Sequence, residues 1–207
     1  MMIYGLFDHY TNKSPSQHQT HCFGDCSGCV CFNAMKKDIP SQDETFCQIA
    51  LLFLMTQETE YCISSLIGTI YPEGNPSWEE IEKLEKNTLG QLINKLKERA
   101  DMNDKFIRLL TVFLEGRNIF IHKLYRQEWF DTNTEEGRDA IWDFLVTYQK
   151  ILWDVNHIAS AAIFKHTESI GMPESEYQKK MKETGYLDLI KSYYTKADFA
   201  FKRRNQK

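Results

Sequence analysis

Turn-forming residues are scarce in this chain, with ten Gly and five Pro in 207 residues. No Asn-Gly type dipeptide or run of alternating apolar and polar residues marks a hairpin, which excludes β-sandwiches and barrels. Long apolar runs are also missing: the longest, Ile49 to Met55, falls far short of the ~20 residues that cross a bilayer. The opening residues Met1 to His9 lack a basic region followed by an apolar core, so a soluble, cytoplasmic protein with no membrane partner is expected. Positive charge is not in excess. A formal charge of -4 argues against coating nucleic acid or lipid non-specifically, and any RNA contact must be local. Six cysteines in a cytosolic chain of this size do not make a disulfide framework. No internal repeat is present.

What remains is a chain rich in helix formers, 42% hydrophobic and 26% charged, sufficient for one globular core. Residues 1–40 mix Ser, Thr, Asn, Gln, His and Cys without helical period, forming an irregular Cys/His-rich leader to a helical domain at 41–207. Ser41 and Glu44 make a capping box. A long helix follows, with Phe46, Ile49, Ala50, Phe53, Leu54, Ile63, Leu66, Ile67 and Ile70 on its apolar face, until Pro72, Gly74 and Pro76 stop it.

Ser77 starts a short acidic helix, and Thr88 caps another that carries Leu89, Leu92, Ile93 and Leu96. A longer helix is expected from about Asn103 to Arg126, with Phe106, Leu109, Leu110, Phe113, Phe120 and Leu124 three and four apart. Val112, Leu114 and Ile119 lie off that stripe, so the helix needs cover on more than one side. Thr132 and Glu135 suggest a further capping box, opening a helix that runs to near Ile170, roughly 50 Å long. A last apolar segment begins near Pro173 and ends basic. The expected fold class is all-α, an up-and-down bundle of four to five main helices.

One stretch carries chemistry. Within Glu115-Gly116-Arg117-Asn118-Ile119-Phe120-Ile121-His122-Lys123-Leu124-Tyr125, an arginine, an amide and an imidazole interrupt an apolar helix. At 100° per residue Asn118, His122 and Tyr125 share one stripe, and the long stem of Arg117 can bring its guanidinium to that stripe's edge. A buried cation needs a partner or a task. An imidazole that exchanges protons near neutrality, beside a planar cation that holds phosphate oxygens, suits phosphodiester chemistry. Lys123, Tyr125 and Arg126 are the neighbouring candidates for substrate binding.

Arg117-x4-His122 with Asn118 directly after the arginine resembles the catalytic signature of the HEPN superfamily. Thr88-Leu89-Gly90-Gln91-Leu92-Ile93 looks like the Thr-x-Gly-x-Leu-Ile run upstream of that signature in some HEPN proteins. The resemblance covers roughly residues 41–170. It implies a metal-independent endoribonuclease, needing no cofactor for catalysis, that acts on RNA as a homodimer with both motifs facing one cleft. It also implies that His122 is general acid and base, that Arg117 stabilises the phosphorane and that Asn118 positions His122 or a phosphate oxygen. The products would be a 2′,3′-cyclic phosphate and a 5′-hydroxyl. Such proteins are often toxins or antiviral effectors restrained by an inhibitory antitoxin, sometimes a nucleotidyltransferase that modifies a tyrosine two residues after the histidine. Here that position is Leu124.

Other readings stand beside this one. Arg117 and His122 could be a buried polar pair in a non-catalytic helical homodimer that binds a nucleotide or a protein through the same cleft. Tyr125 could simply pack in the core or at an interface. In the leader, Cys22, Cys26, Cys29 and Cys31 with His18 and His21 could close a structural zinc site or be a thiol-rich tail. Asp154-x-x-His157 lacks the second pair a di-iron bundle needs, which leaves His157 as a polar residue of core or surface. The basic run from Lys196 to Lys207 could draw in RNA or merely end a helix.

Overall fold

A computed structural model describes residues 39–69, 83–84, 87–171 and 176–202. Seven helices among the described residues are α1 (Gln42–Thr69), α2 (Leu89–Arg99), α3 (Asp104–His122), α4 (Glu135–Ser169), α5 (Glu176–Glu183), α6 (Tyr186–Ser192) and α7 (Tyr194–Ala200). The all-α bundle expected from the sequence is therefore present. Residues 1–38 of the leader and the stretch around Ser77 lie outside the described residues, apart from Lys83 and Leu84, of which Leu84 is buried.

Caps set most helix starts where the sequence placed them. Ser41 Oγ accepts from Glu44 N at 3.2 Å while Glu44 Oε2 accepts from Ser41 N at 2.7 Å. Thr88 and Gln91 make the same reciprocal box at α2. The start of α4 differs: Thr134, not Thr132, is the cap, its Oγ1 accepting from Gly137 N at 3.2 Å. Asp131 takes up Asn133 N at 2.9 Å and holds the turn back by two residues. The expected helix through Arg126 also divides, because α3 stops at His122 and Leu124–Arg126 form a 3-10 turn.

The three long helices run up, down and up. Pairs between α1 and α4 rise together in number, since Gln48 meets Gln149 at 3.1 Å, Asn156 meets Thr59 at 3.2 Å and Cys62 meets Ser160 at 3.4 Å. These two helices are parallel, with α3 running in the opposite sense: Glu60 of α1 meets Arg117, while α1 residues nearer its start share a groove with Phe120 and Ile121.

These pairs also correct the expected face of α1. From Thr45 to Thr59 the helix buries Thr45, Gln48, Leu52, Thr56 and Thr59, and turns Phe46, Ala50, Phe53 and Leu54 outward. Only in the second half do Ile63, Leu66 and Ile67 point inward as expected. Gln48, Thr56 and Thr59 are bonded across the interface and Thr45 to the Ser41 carbonyl, so burying these four carries no unpaired-group penalty.

Tyr148 of α4 joins all three long helices. It is fully buried, its ring 6.2 Å from Phe113, 5.3 Å from Phe120 and 6.0 Å from Phe144, and its hydroxyl lies 3.0 Å from Thr56 Oγ1. Burial pushes the phenol well above its ordinary range. The ring fits because residue 116 is glycine: a Cβ there would sit 2.9 Å from the Tyr148 ring.

After α4 the chain breaks into short helices where one segment was expected. Gly185 turns it with φ +73°, and α5 to α7 close a second, smaller core of Ala161, Met181, Leu187, Ile190 and Ala197. Two-residue strands, Asp101–Met102 and Phe201–Lys202, pair antiparallel, a small element that the absence of strand signals did not reveal. Lys196 and Asp198 are engaged with Asp154 and Lys165 of α4, so this part of the basic run fastens α7, while residues 203–207 lie outside the described set. His157 is 9% exposed, among Trp153, Tyr186 and Tyr193, with Nδ1 unpartnered.

Two outcomes follow from this packing. Gly116→Val should cost about 2–3 kcal/mol by overpacking the Tyr148 ring, and Tyr148→Phe about 1 kcal/mol through the lost hydrogen bond, both read by urea unfolding. Stability within error of wild type in both would mean that α3 does not rest on Tyr148. For His157, burial depresses the proton affinity, Asp154 opposes that and Lys196 adds to it. The folded state therefore holds the neutral ring, and stability is complete above the unfolded value of ~6.5 and falls as pH drops below it. Unfolding free energy should decline from about pH 7.5 to about pH 5.5, less steeply in His157→Phe; equal slopes in the two proteins would remove His157 as the source.

Candidate functional site

The site forms where the last turn of α3 meets the middle of α1. Arg117 leaves α3 one residue after Gly116, whose missing side chain lets the helix approach α4 closely. The Arg117 side chain is largely buried, at 19% exposure, with Glu60 as the partner that a buried cation requires.

Three groups surround it. Nε donates to Glu60 Oε1 at 2.7 Å, one terminal nitrogen, NH1, lies 2.8 Å from His122 Nε2, and the same NH1 reaches Asn118 Oδ1 at 3.4 Å. Glu60 is 26% exposed, and His122 is exposed at the helix end. A guanidinium only donates, so the contact with His122 requires a lone pair on Nε2 and, in the neutral ring, the proton on Nδ1. The carbonyl end of α3 also favours positive charge at this place.

Arg117, Asn118 and His122 are thus brought together as the sequence suggested. Tyr125 is not on their stripe, because the helix ends at His122; it is 66% exposed and its hydroxyl accepts from Arg126 Nε at 3.0 Å. The Arg126 guanidinium also sits 5.3 Å from the Tyr125 ring centre. Among the described residues Tyr125 is therefore not packed in the core, and it is exposed together with its arginine. Lys123 is exposed and serves as the C-cap of α3, its N–H donating to Ile119 O. Cys22, Cys26, Cys29 and Cys31 lie outside the described residues. Burial against α4 pushes the Cys62 thiol up to about 11, which favours the unreactive thiol over the thiolate.

Sequence reasoning missed Glu60. It lies 57 positions from Arg117, and no motif marks it. The only signal is indirect: Thr45, Gln48, Leu52, Thr56, Thr59 and Ile63 recur every three or four residues, a second stripe that turns α1 so that Glu60 faces α3.

Chemically, the arrangement pairs a proton-accepting imidazole with a fixed cation that Glu60 holds by its Nε edge. The remaining terminal nitrogen and the outer hydrogens can still meet a phosphate oxygen. If the carboxylate holds the guanidinium in solution, a double-mutant cycle of Glu60→Ala and Arg117→Ala should give a coupling of about 1 kcal/mol, modest because both groups are partly exposed. Additive single effects would show that the pair is absent in solution. Comparisons with protein-family models, with curated proteins and with solved structures find no match to this chain.

Proposed function

We propose that this protein is a metal-independent endoribonuclease of HEPN type, with Arg117, Asn118 and His122 at its centre. The observation that carries the proposal is the 2.8 Å approach of the Arg117 guanidinium to His122 Nε2. This is a proton-transfer group and a permanent cation on one exposed helix end, where a polynucleotide can reach both.

In the reaction the ribose 2′-oxygen attacks the adjacent phosphorus, the bond from phosphorus to the 5′-oxygen breaks, and a 2′,3′-cyclic phosphate and a 5′-hydroxyl result. The 2′-hydroxyl proton must be accepted and the departing 5′-oxygen protonated. His122 Nε2 suits the first task once a phosphate oxygen draws Arg117 away from it. Arg117 would then offset the charge that grows on the phosphorane oxygens. Asn118 would orient the imidazole or a phosphate oxygen. Glu60 would act as a positioning residue that keeps the guanidinium at the α1–α3 junction. Two proton roles and the single histidine of the Arg117–His122 cluster favour a homodimer in which each copy supplies one. Exposed Lys123 and Arg126 suit phosphate contacts, and the exposed Tyr125 ring suits stacking on a base. A ribonuclease with so open a site would need restraint, in keeping with a toxin or antiviral effector held by an inhibitory partner.

A second reading has support of its own. Glu60 already compensates the charge of Arg117, as in a site that orders helices or binds a nucleotide without cleaving it. The experiment that separates the two is incubation of a mixed RNA pool with purified protein in EDTA. Wild type should leave cyclic phosphate ends, with Arg117→Ala and His122→Ala slower by about 100-fold or more. RNA left intact by all three proteins would defeat the ribonuclease and leave the binding role.

A further inference from the structure

Asp154 and His157 take no part in the proposed reaction, yet they occupy the seam where α4 meets the short C-terminal helices. The His157 ring is 9% exposed, its centre 4.9 Å from the Tyr193 ring, 6.1 Å from Tyr186 and 6.5 Å from Trp153. Nδ1 has no hydrogen-bond partner among the described residues. Tyr186 begins α6 and Tyr193 follows its last residue, so the imidazole lies against both ends of that helix.

We propose that His157 is an acid-operated latch: its neutral ring lets α6 dock on α4, and its protonation releases α5 and α6 while the three long helices and α7 stay in place. Three observations carry this. First, an imidazolium has an N–H on both nitrogens. Charging the ring therefore puts a donor at Nδ1, among aromatic rings and without an acceptor in reach among the described residues. A buried donor left unpaired and a cation stripped of its water are both costly.

Second, the groups that face the ring already balance one another. They are Asp154 of α4, the phenols of Tyr186 and Tyr193 at the ends of α6, and Lys196 of α7. Asp154 Oδ1 accepts from Lys196 Nζ at 3.3 Å and lies 3.5 Å from the Tyr193 hydroxyl, and the same Nζ sits 4.1 Å from the Tyr193 ring centre. The carboxylate beside His157 is thus shared with a cation already in place. Burial, the largest influence, lowers the proton affinity of the ring, Asp154 raises it and Lys196 lowers it.

Third, α5 and α6 can leave without the rest. They have eight and seven residues, too few to hold a helix in water without packing, and Gly185 turns the chain between them at φ +73°. Met181, Leu187 and Ile190 belong to the smaller core, separate from the main one. In contrast, α7 is tied elsewhere, by the pair Lys165–Asp198 and by the strand Phe201–Lys202 that follows it and pairs with Asp101–Met102. The latch does not depend on the ribonuclease reading.

The test is amide hydrogen exchange of the full chain at about pH 7.5 and about pH 5.5, read by mass spectrometry as protection factors, which remove the intrinsic effect of pH on exchange. Residues 186–192 should be at least tenfold less protected than the middle of α1 at both values, the mark of an opening smaller than global unfolding. Their protection should fall about tenfold towards pH 5.5, because the released ring regains its ordinary value of ~6.5 while the docked ring stays neutral. In His157→Phe, which keeps a ring at the seam, and in His157→Gln, which keeps a polar group, that fall should vanish. Protection of α6 equal to that of α1 overturns the latch, and so does a fall that is absent in wild type or persists in both variants.

Discussion

The fit of one buried tyrosine against a glycine holds the long helices in place. Tyr148 reaches from α4 between Phe113 and Phe120 of α3, and its hydroxyl meets Thr56 of α1. The ring contacts require close approach of α3, where a Cβ on residue 116 would sit 2.9 Å from the Tyr148 ring. Arg117 follows Gly116 directly, so the constraint that closes the core also fixes where the guanidinium leaves the helix. Glu60, one turn beyond Thr56 on α1, is brought to its partner by the same contact. Site and core are consequences of a single packing decision.

Along the parallel pair α1 and α4, the interface is specified by hydrogen bonds as much as by apolar area. Gln48 bonds Gln149, Thr56 bonds Tyr148 and Thr59 bonds Asn156 along it. Each bond adds little net stability, but a slip of register would strand several buried donors at once, and that cost is large. The ladder thus selects one alignment of the two helices. It also bears on why Ala50, Leu51, Phe53 and Leu54 of the most apolar run face outward while Leu52 alone of that run is fully buried: much of the inner surface between Thr45 and Thr59 is committed to polar partners.

At the end of α3 the same economy applies. Termination at His122 exposes the imidazole and places it within reach of Arg117, while the 3-10 turn that follows buries Leu124 and presents Tyr125 with Arg126 to solvent. An uninterrupted helix would have carried Tyr125 round to the stripe of Asn118 and His122. The break separates a polar cluster of proton-transfer groups from an exposed aromatic and cationic pair, two surfaces suited to different parts of one ligand.

Local rules in the sequence determined a good deal. The all-α class, the box at Ser41, the cap at Thr88, the end of α4 to within a residue of Ile170 and the meeting of Arg117 with His122 all depend on contacts within a few residues, and nearby chain chemistry controls such contacts. The tertiary structure decided the rest. The choice between the two stripes of α1 turned on partners about a hundred positions away, and apolar periodicity pointed to the wrong one because it counts hydroxyls and amides as surface. Glu60 became part of the site, Tyr125 left the stripe and the C-terminal segment divided into α5, α6 and α7 for related reasons. In each, distant side chains or one turn of backbone geometry outweighed local propensity, and such long-range terms leave no trace in a window of neighbouring residues.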